Sequence, residues 1–262
     1  MTSGAVRLAV TALGDRARPP AVIAHGAGSS HRFVVDTFGP PITAAGWRLV
    51  SYDLRGHGRS TPLPDPAAHR LEEQIADLDA VVSSVGASVV GGVSLGAHAA
   101  AAWVAGRAGI DGVALAMPGW IGPAIAGVGP HAAIADEVRR DGVGAVLDRV
   151  LADPGTPRWL HHVMSRDWPA HDQPSLTAAL LALDGADAPT IETLAAIDAP
   201  AGVTGWPDDP GHPLWVAQAW RTAIAGAQLV ETTIGAMDHD ATAIGGAAVA
   251  ALRTALHATE QD

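Results

Sequence analysis

Within a few residues of Ser94 the chain switches from one hydrophobic period to another, and that switch constrains the fold more than any other stretch. An apolar, β-type run from Ala87 to Val93 stops at the serine, and a helix-favouring run, Leu95-Gly-Ala-His-Ala-Ala-Ala-Ala-Trp-Val-Ala, starts directly after it. Gly92 and Gly96 bracket Ser94 at minus two and plus two. Gly-x-Ser-x-Gly at a strand-to-helix turn is a mechanical arrangement. A turn this sharp strains the serine backbone, and side chains two residues away would collide with it. The hydroxyl is left clear of the chain, and the Leu95 amide, at the start of the new helix, points where an oxyanion would form. Gly86 to Gly106 carries no formal charge and has the length of a membrane span. Its glycines, serines and His98 break the apolar run, so a soluble strand-turn-helix is the better reading.

Composition narrows the function. The 262 residues suit one large α/β domain or a domain with an insertion. Hydrophobic residues make up 48% and charged residues only 16%, enough for a core and too little charge for disorder. The net charge is −11 and every basic residue is a scattered Arg, which argues against nucleic acid and anionic membranes as partners. With no cysteine, disulfides, thiol catalysis and Cys-ligated metals are excluded. The first residues show no basic segment followed by an apolar one, so a cytoplasmic protein without a signal peptide is expected.

Along the chain, strand and helix patterns alternate. Ala5–Leu13 reads as an edge strand and Pro20–Ala24 as a short buried one, running into His25-Gly-Ala-Gly-Ser-Ser30, a small-residue loop whose amides can face a ligand. Trp47–Tyr52 is a strand ending in Asp53-Leu-Arg-Gly-His-Gly-Arg-Ser60, a charge-dense segment best read as a self-bonded structural turn. Arg70–Val85 has helical spacing with Gly86 as its stop, and Gly112–Ala116 is the next strand. Over 119–190 the alternation fails, and short helices are expected near 121–128, 131–140, 142–152, 156–166 and 174–183. The histidines of that region, His131, His161, His162 and His171, read as surface or packing residues. A strand at Ala199–Gly205, a helix at Leu214–Ala225, a strand at Gln228–Ile234 and a closing helix at Ala241–His257 complete the chain.

This rhythm implies a mainly parallel sheet covered on both faces, with reactive groups beyond the strands' carboxyl ends. Loops 25–30, 92–96, 206–213 and 235–240 lie there, and they present Ser94, an acid near position 209, and His239 in that order. In these features the sequence resembles the α/β-hydrolase superfamily. His25-Gly-Ala-Gly28 resembles the family's His-Gly loop, and Asp53–Ser60 its Asp-x-Arg-Gly-x-Gly-x-Ser segment. Gly92–Gly96 resembles the nucleophile elbow, and Asp209-Pro-Gly-His-Pro213 the acid loop. His239 stands after the last strand, where the family carries its histidine, although Asp238 replaces the usual preceding glycine.

The resemblance implies a core of residues 1–118 and 191–262 with a helical cap at 119–190. It implies Ser94 as nucleophile, His239 as general base and Asp209 as the orienting acid, with the amides of Ala27 and Leu95 as oxyanion hole. Asp209 lies four before Pro213, while Asp208 has the alternative three-residue offset from Gly205, and Asp238 stands behind both. His25, Gly26 and Trp120 are expected to contact substrate. The implied activity is hydrolysis of a carboxylic ester or related acyl bond of a small, mostly apolar molecule through an acyl-enzyme, with no metal or organic cofactor. The same triad also serves carbon–carbon and thioester cleavage and acyl transfer, and the fold also hosts small-molecule receptors. Oligomeric state is not encoded legibly.

Overall fold

The computed structural model describes residues 1–123 and 130–259. A short hairpin, β1 (Thr2–Ser3) and β2 (Val6–Arg7), precedes the main sheet. Strands β3 (Val10–Leu13), β4 (Pro20–Ala24), β5 (Arg48–Tyr52), β6 (Val89–Val93), β7 (Gly112–Ala116), β8 (Ala201–Gly205) and β9 (Gln228–Glu231) form one seven-stranded sheet in the order β3-β5-β4-β6-β7-β8-β9. Only β3 runs antiparallel, against β5 at the edge. The edge strand expected over Ala5–Leu13 therefore divides between the hairpin and β3.

Central strands such as β6 and β7 are buried at every position, as continuous apolar runs in a two-sided sheet must be. Alternate side chains point to opposite layers. Ala21 and Ile23 join the cluster built with α1 (His31–Ala44), whereas Val22 and Ala24 join the cluster that contains residues of α2 (Leu71–Val85) and α3 (Leu95–Val104). α3 is buried at all described positions except Ala102, in keeping with a helix apolar all round.

Between β7 and β8 comes the helical segment. α4 (His131–Ala152) is broken at Gly142 (φ 86°, ψ 159°), so the two helices expected at 131–140 and 142–152 are joined across a kink. α5 (Arg158–Asp167), α6 (Gln173–Asp184) and α7 (Ile191–Ala195) follow. The helix expected over 121–128 falls largely outside the described residues. Ala135, Val138, Val146, Met164, Trp168, Leu176 and Leu180 form a small apolar cluster of their own. The chain closes with α8 (Leu214–Ala223) and α9 (Ala243–Thr259). Among the described residues no helix is long and apolar enough to cross a membrane.

α9 lies on the sheet backbone itself. A Cβ built on Gly202 of β8 would sit 2.2 Å from the Leu252 amide nitrogen and 2.7 Å from its Cα. Those atoms are main chain and can yield only by moving the helix. Gly202→Ala is therefore expected to destabilise the fold by about 1–3 kcal/mol, read as a lowered Tm with the far-UV spectrum unchanged. An unaltered Tm would show that α9 shifts at no cost.

Candidate active site

Ser94 sits at the β6–α3 turn with φ 53° and ψ −118°, outside the regions an L-residue favours. The sheet holds it there: its amide donates to Ala116 O at 2.9 Å, and its carbonyl accepts from His98 N at 3.0 Å. The flanking glycines are required by contact. A Cβ on Gly92 would fall 2.2 Å from the Gly96 carbonyl carbon, and one on Gly96 would fall 2.5 Å from Ala24 O.

The imidazole facing Ser94 belongs to His212. The Ser94 hydroxyl donates to His212 Nε2 at 2.9 Å, and His212 Nδ1 donates to Asp209 Oδ2 at 2.8 Å. Asp209 Oδ1 accepts from the Gly211 amide at 2.8 Å. Burial works against the charge on Asp209, but the bonds from His212 and these amides hold its carboxyl below the usual range. Asp208 faces away, exposed, and accepts from Ile234 N at 3.1 Å, which ties the 206–213 loop to the 3-10 turn Ile234–Asp238.

His239, expected as the general base, is not brought to Ser94 in this structure; His212 stands there instead. His239 ends that 3-10 turn with its side chain exposed, and its amide is spent on Ala236 O. Asp238, its neighbour, accepts from Trp159 N at 2.8 Å and so caps the start of α5. The turn is thus committed to holding α5 rather than to aiming an imidazole at Ser94. His212 had a legible signal: Asp209-Pro-Gly-His212 is a turn sequence, and a turn brings its first and fourth side chains together.

The loop after β4 presses against the serine. A Cβ on Gly26 would lie 3.1 Å from Ser94 Cβ. Next to it the amide of Ala27 has no partner among the described hydrogen bonds, whereas Gly28 N donates to His57 Nε2 at 3.0 Å and Ser29 N donates to Gly26 O at 3.2 Å. The Leu95 amide, first in α3, has no carbonyl within the helix to receive it.

His25 does not reach into the site. It is fully buried, Nδ1 donates to Gly26 O at 2.7 Å, and Nε2 accepts from Leu54 N at 2.9 Å. The expectation of a substrate contact there is replaced by that of a brace. Trp120 packs its ring edge-on against His98 at 4.5 Å, and its Nε1 donates to Ala186 O at 3.0 Å. His98 in turn accepts from Gly119 N through Nε2 at 3.0 Å. This sets Gly119 behind the His212 ring, where an added Cβ would lie 3.7 Å from His212 Cδ2.

The charge-dense loop after β5 is structural, as its composition implies. Asp53 accepts from His31 and Arg59, and the guanidinium of Arg55 is held by Asp77 and Glu73. Burial opposes the charge on Asp53, yet the His31 bonds keep its carboxyl well below the usual range. Among the described residues no group of three His, Asp or Glu side chains is placed to hold a metal. A cavity of about 350 Å³ opens between α1 and α5, walled by Phe33, Thr37, Trp159, Val163 and Met237; neither Ser94 nor His212 lines it.

A model of the alpha/beta hydrolase family matches residues 21–252. The chain belongs to the alpha/beta hydrolase family. Membership makes it an enzyme of the hydrolase class. Among solved structures this hydrolase is similar to an enol-lactonase from Burkholderia xenovorans, at 21% identity and TM-score 0.69 over 98% of this chain and 95% of that one. It is also similar to a carboxylesterase structure from Nitrososphaera gargenis, at 16% identity and TM-score 0.75 over 89% and 88%. A bromoperoxidase from Bacillus anthracis matches at 16% identity and TM-score 0.72 over 98% and 92%. No curated protein matches the chain. At these identities the structural likeness establishes the fold.

Burial keeps several imidazoles uncharged. It pushes His25 down to about 4 and His98 down to about 3, and it lowers His57 and His171 as well. A histidine whose pKa is lower folded than unfolded binds its proton more readily in the unfolded chain. Stability is then full above the unfolded value of about 6.5 and falls as pH drops below it. The loss continues to about 4 for His25 and about 3 for His98, at up to about 1.4 kcal/mol per pH unit for each histidine. Urea midpoints are therefore expected to fall steadily from pH 6.5 to about 5, above the range in which the carboxylates titrate. A flat profile across that window would contradict neutral, buried imidazoles.

Proposed function

We propose that the protein is a serine hydrolase that cleaves a carboxylic ester or a related acyl bond of a small, largely uncharged substrate. The observation that carries this reading is the continuous hydrogen-bonded chain Ser94–His212–Asp209 at a strained strand-to-helix turn. Ser94 Oγ attacks the acyl carbon while His212 Nε2 takes the hydroxyl proton, and Asp209 steadies the imidazolium that forms. The oxygen that gains negative charge is met by the amides of Leu95 and Ala27. His212 then gives its proton to the leaving alcohol, leaving an acyl-serine. Water repeats the sequence, losing its proton to His212 as it attacks, and Ser94 regains a proton when the acid departs. The net charge of −11 favours uncharged acyl chains over anionic ones.

A fluorophosphonate should label one peptide, that containing Ser94, and Ser94→Ala should abolish labelling and turnover of p-nitrophenyl esters. His212→Ala should lose several orders of magnitude in kcat, whereas His239→Ala should stay within a few-fold of the parent. The reverse ranking would return the base to the position after β9 that the family resemblance implied, and would require the 3-10 turn to rearrange. Asp209→Asn should lower kcat by roughly four orders of magnitude, because an amide there stabilises the wrong imidazole tautomer. Asp208→Asn should cost little.

A further inference from the structure

The loop that carries the Ala27 amide is held partly by the inserted helical segment. Gly26–Ser29 is a tight turn: Ser29 N donates to Gly26 O at 3.2 Å, and Gly28, its third residue, has φ 70°. Positive φ at that position is the signature of a type II turn, and glycine supplies it without strain. The Ala27 N–H belongs to the peptide that enters the turn, so its aim at the serine depends on where the whole turn sits and on what holds it there. Gly28 is gripped on both of its polar atoms by imidazoles from two other parts of the chain. Its N–H donates to His57 Nε2 at 3.0 Å, and its carbonyl lies 3.4 Å from His171 Nε2. His57 belongs to the loop after β5, and His171 to the segment between α5 and α6.

The donor and acceptor roles are mutually consistent only for neutral rings. His57 Nε2 accepts from Gly28, so its Nδ1 carries the proton, which is donated to Arg55 O at 2.9 Å. His171 Nδ1 accepts from Gly58 N at 3.0 Å, so its proton is on Nε2, facing Gly28 O. The two rings meet edge to face at 5.2 Å, and His57 meets His25 likewise at 5.3 Å. Trp168, three residues before His171, covers the open side of Gly28, with its Nε1 3.6 Å from where a Cβ would be. Burial lowers the pKa of His57 and of His171, which fits rings that stay uncharged.

We propose that His171, carried on the inserted segment, is a positioning residue for the Ala27 amide: by donating to Gly28 O while accepting from Gly58 N, it locks the turn so that the oxyanion hole is complete only when the segment is seated. This rests on the reading of Ser94 as nucleophile and Ala27 as oxyanion donor. It couples the seating of the helical segment to transition-state stabilisation through one side chain, not through a general closure.

The test is a series at position 171 assayed on one activated ester. His171→Leu removes both bonds and should lower kcat roughly 10- to 100-fold, short of the 10²–10³ expected for losing an oxyanion donor outright, with KM within about twofold. Affinity for a trifluoromethyl ketone, which forms a tetrahedral adduct, should fall in parallel with kcat. His171→Gln can still place an N–H near Gly28 O and should recover most of kcat, whereas His171→Asn keeps only an acceptor for Gly58 and should not. If kcat follows Tm across the three variants regardless of the donor, or if His171→Leu keeps the parent kcat, the proposal is overturned. Should His171→Leu fail to fold, the Gln and Asn pair decides the matter alone. A parent enzyme that shows no Ser94-dependent turnover would sink the hydrolase reading itself, an outcome visible before any variant at 171 is made.

Discussion

Everything near the site depends on keeping Ser94 in a backbone conformation that costs about 1–3 kcal/mol in isolation. Its φ of 53° is imposed from two sides: the Ser94 amide is pinned to β7 through Ala116, and α3 starts immediately beyond. The glycines on either side let β4, β6 and α3 approach more closely than any Cβ would permit. Strain at the serine is therefore sustained by packing across the centre of the sheet. The same packing brings the β4 loop, with an Ala27 amide that has no partner among the described hydrogen bonds, against the serine. Met117, at the end of β7, has a second positive φ, of 52°, among non-glycine residues, so two adjacent strands end in constrained turns on this edge.

Most of the architecture could be read in the sequence because it follows from local rules. The period switch at Ser94, the buried runs of β4 to β8, Gly86 ending α2 and the closed charge network of Asp53 and Arg55 are each written in a few neighbouring residues. The site was legible in its loops and less so in its side chains. Sequence order placed a histidine after β9, yet the direction a loop side chain takes depends on what its neighbours bind. Asp238 caps α5, Asp208 accepts from Ile234, and the turn between them leaves His239 in solvent. His25 illustrates the same limit: a histidine in a glycine-rich loop suggests a ligand contact, but both of its nitrogens are consumed by backbone more than one segment apart.

Histidine is used here chiefly as backbone glue. His25, His57 and His171 each accept one amide and face one carbonyl with the other nitrogen, a pairing that only a neutral ring can make. A lysine or arginine could donate but not accept. The rings also stack edge to face, so three segments distant in sequence meet in a small rigid block. That block sits under the β4 loop, and the inserted helices contribute one of its members.

Asp209 and His212 stand three residues apart in a single turn, so the acid and the imidazole travel as one body. Where the two are carried by separate loops, each hinge introduces its own error, and the errors add at the serine. Here acid and imidazole are joined through Pro210 and Gly211 alone, so a shift of the 206–213 loop moves both together relative to Ser94. The loop after β9 then serves the hydroxyl only at second hand, bracing the 206–213 loop through Ile234 while Asp238 caps α5.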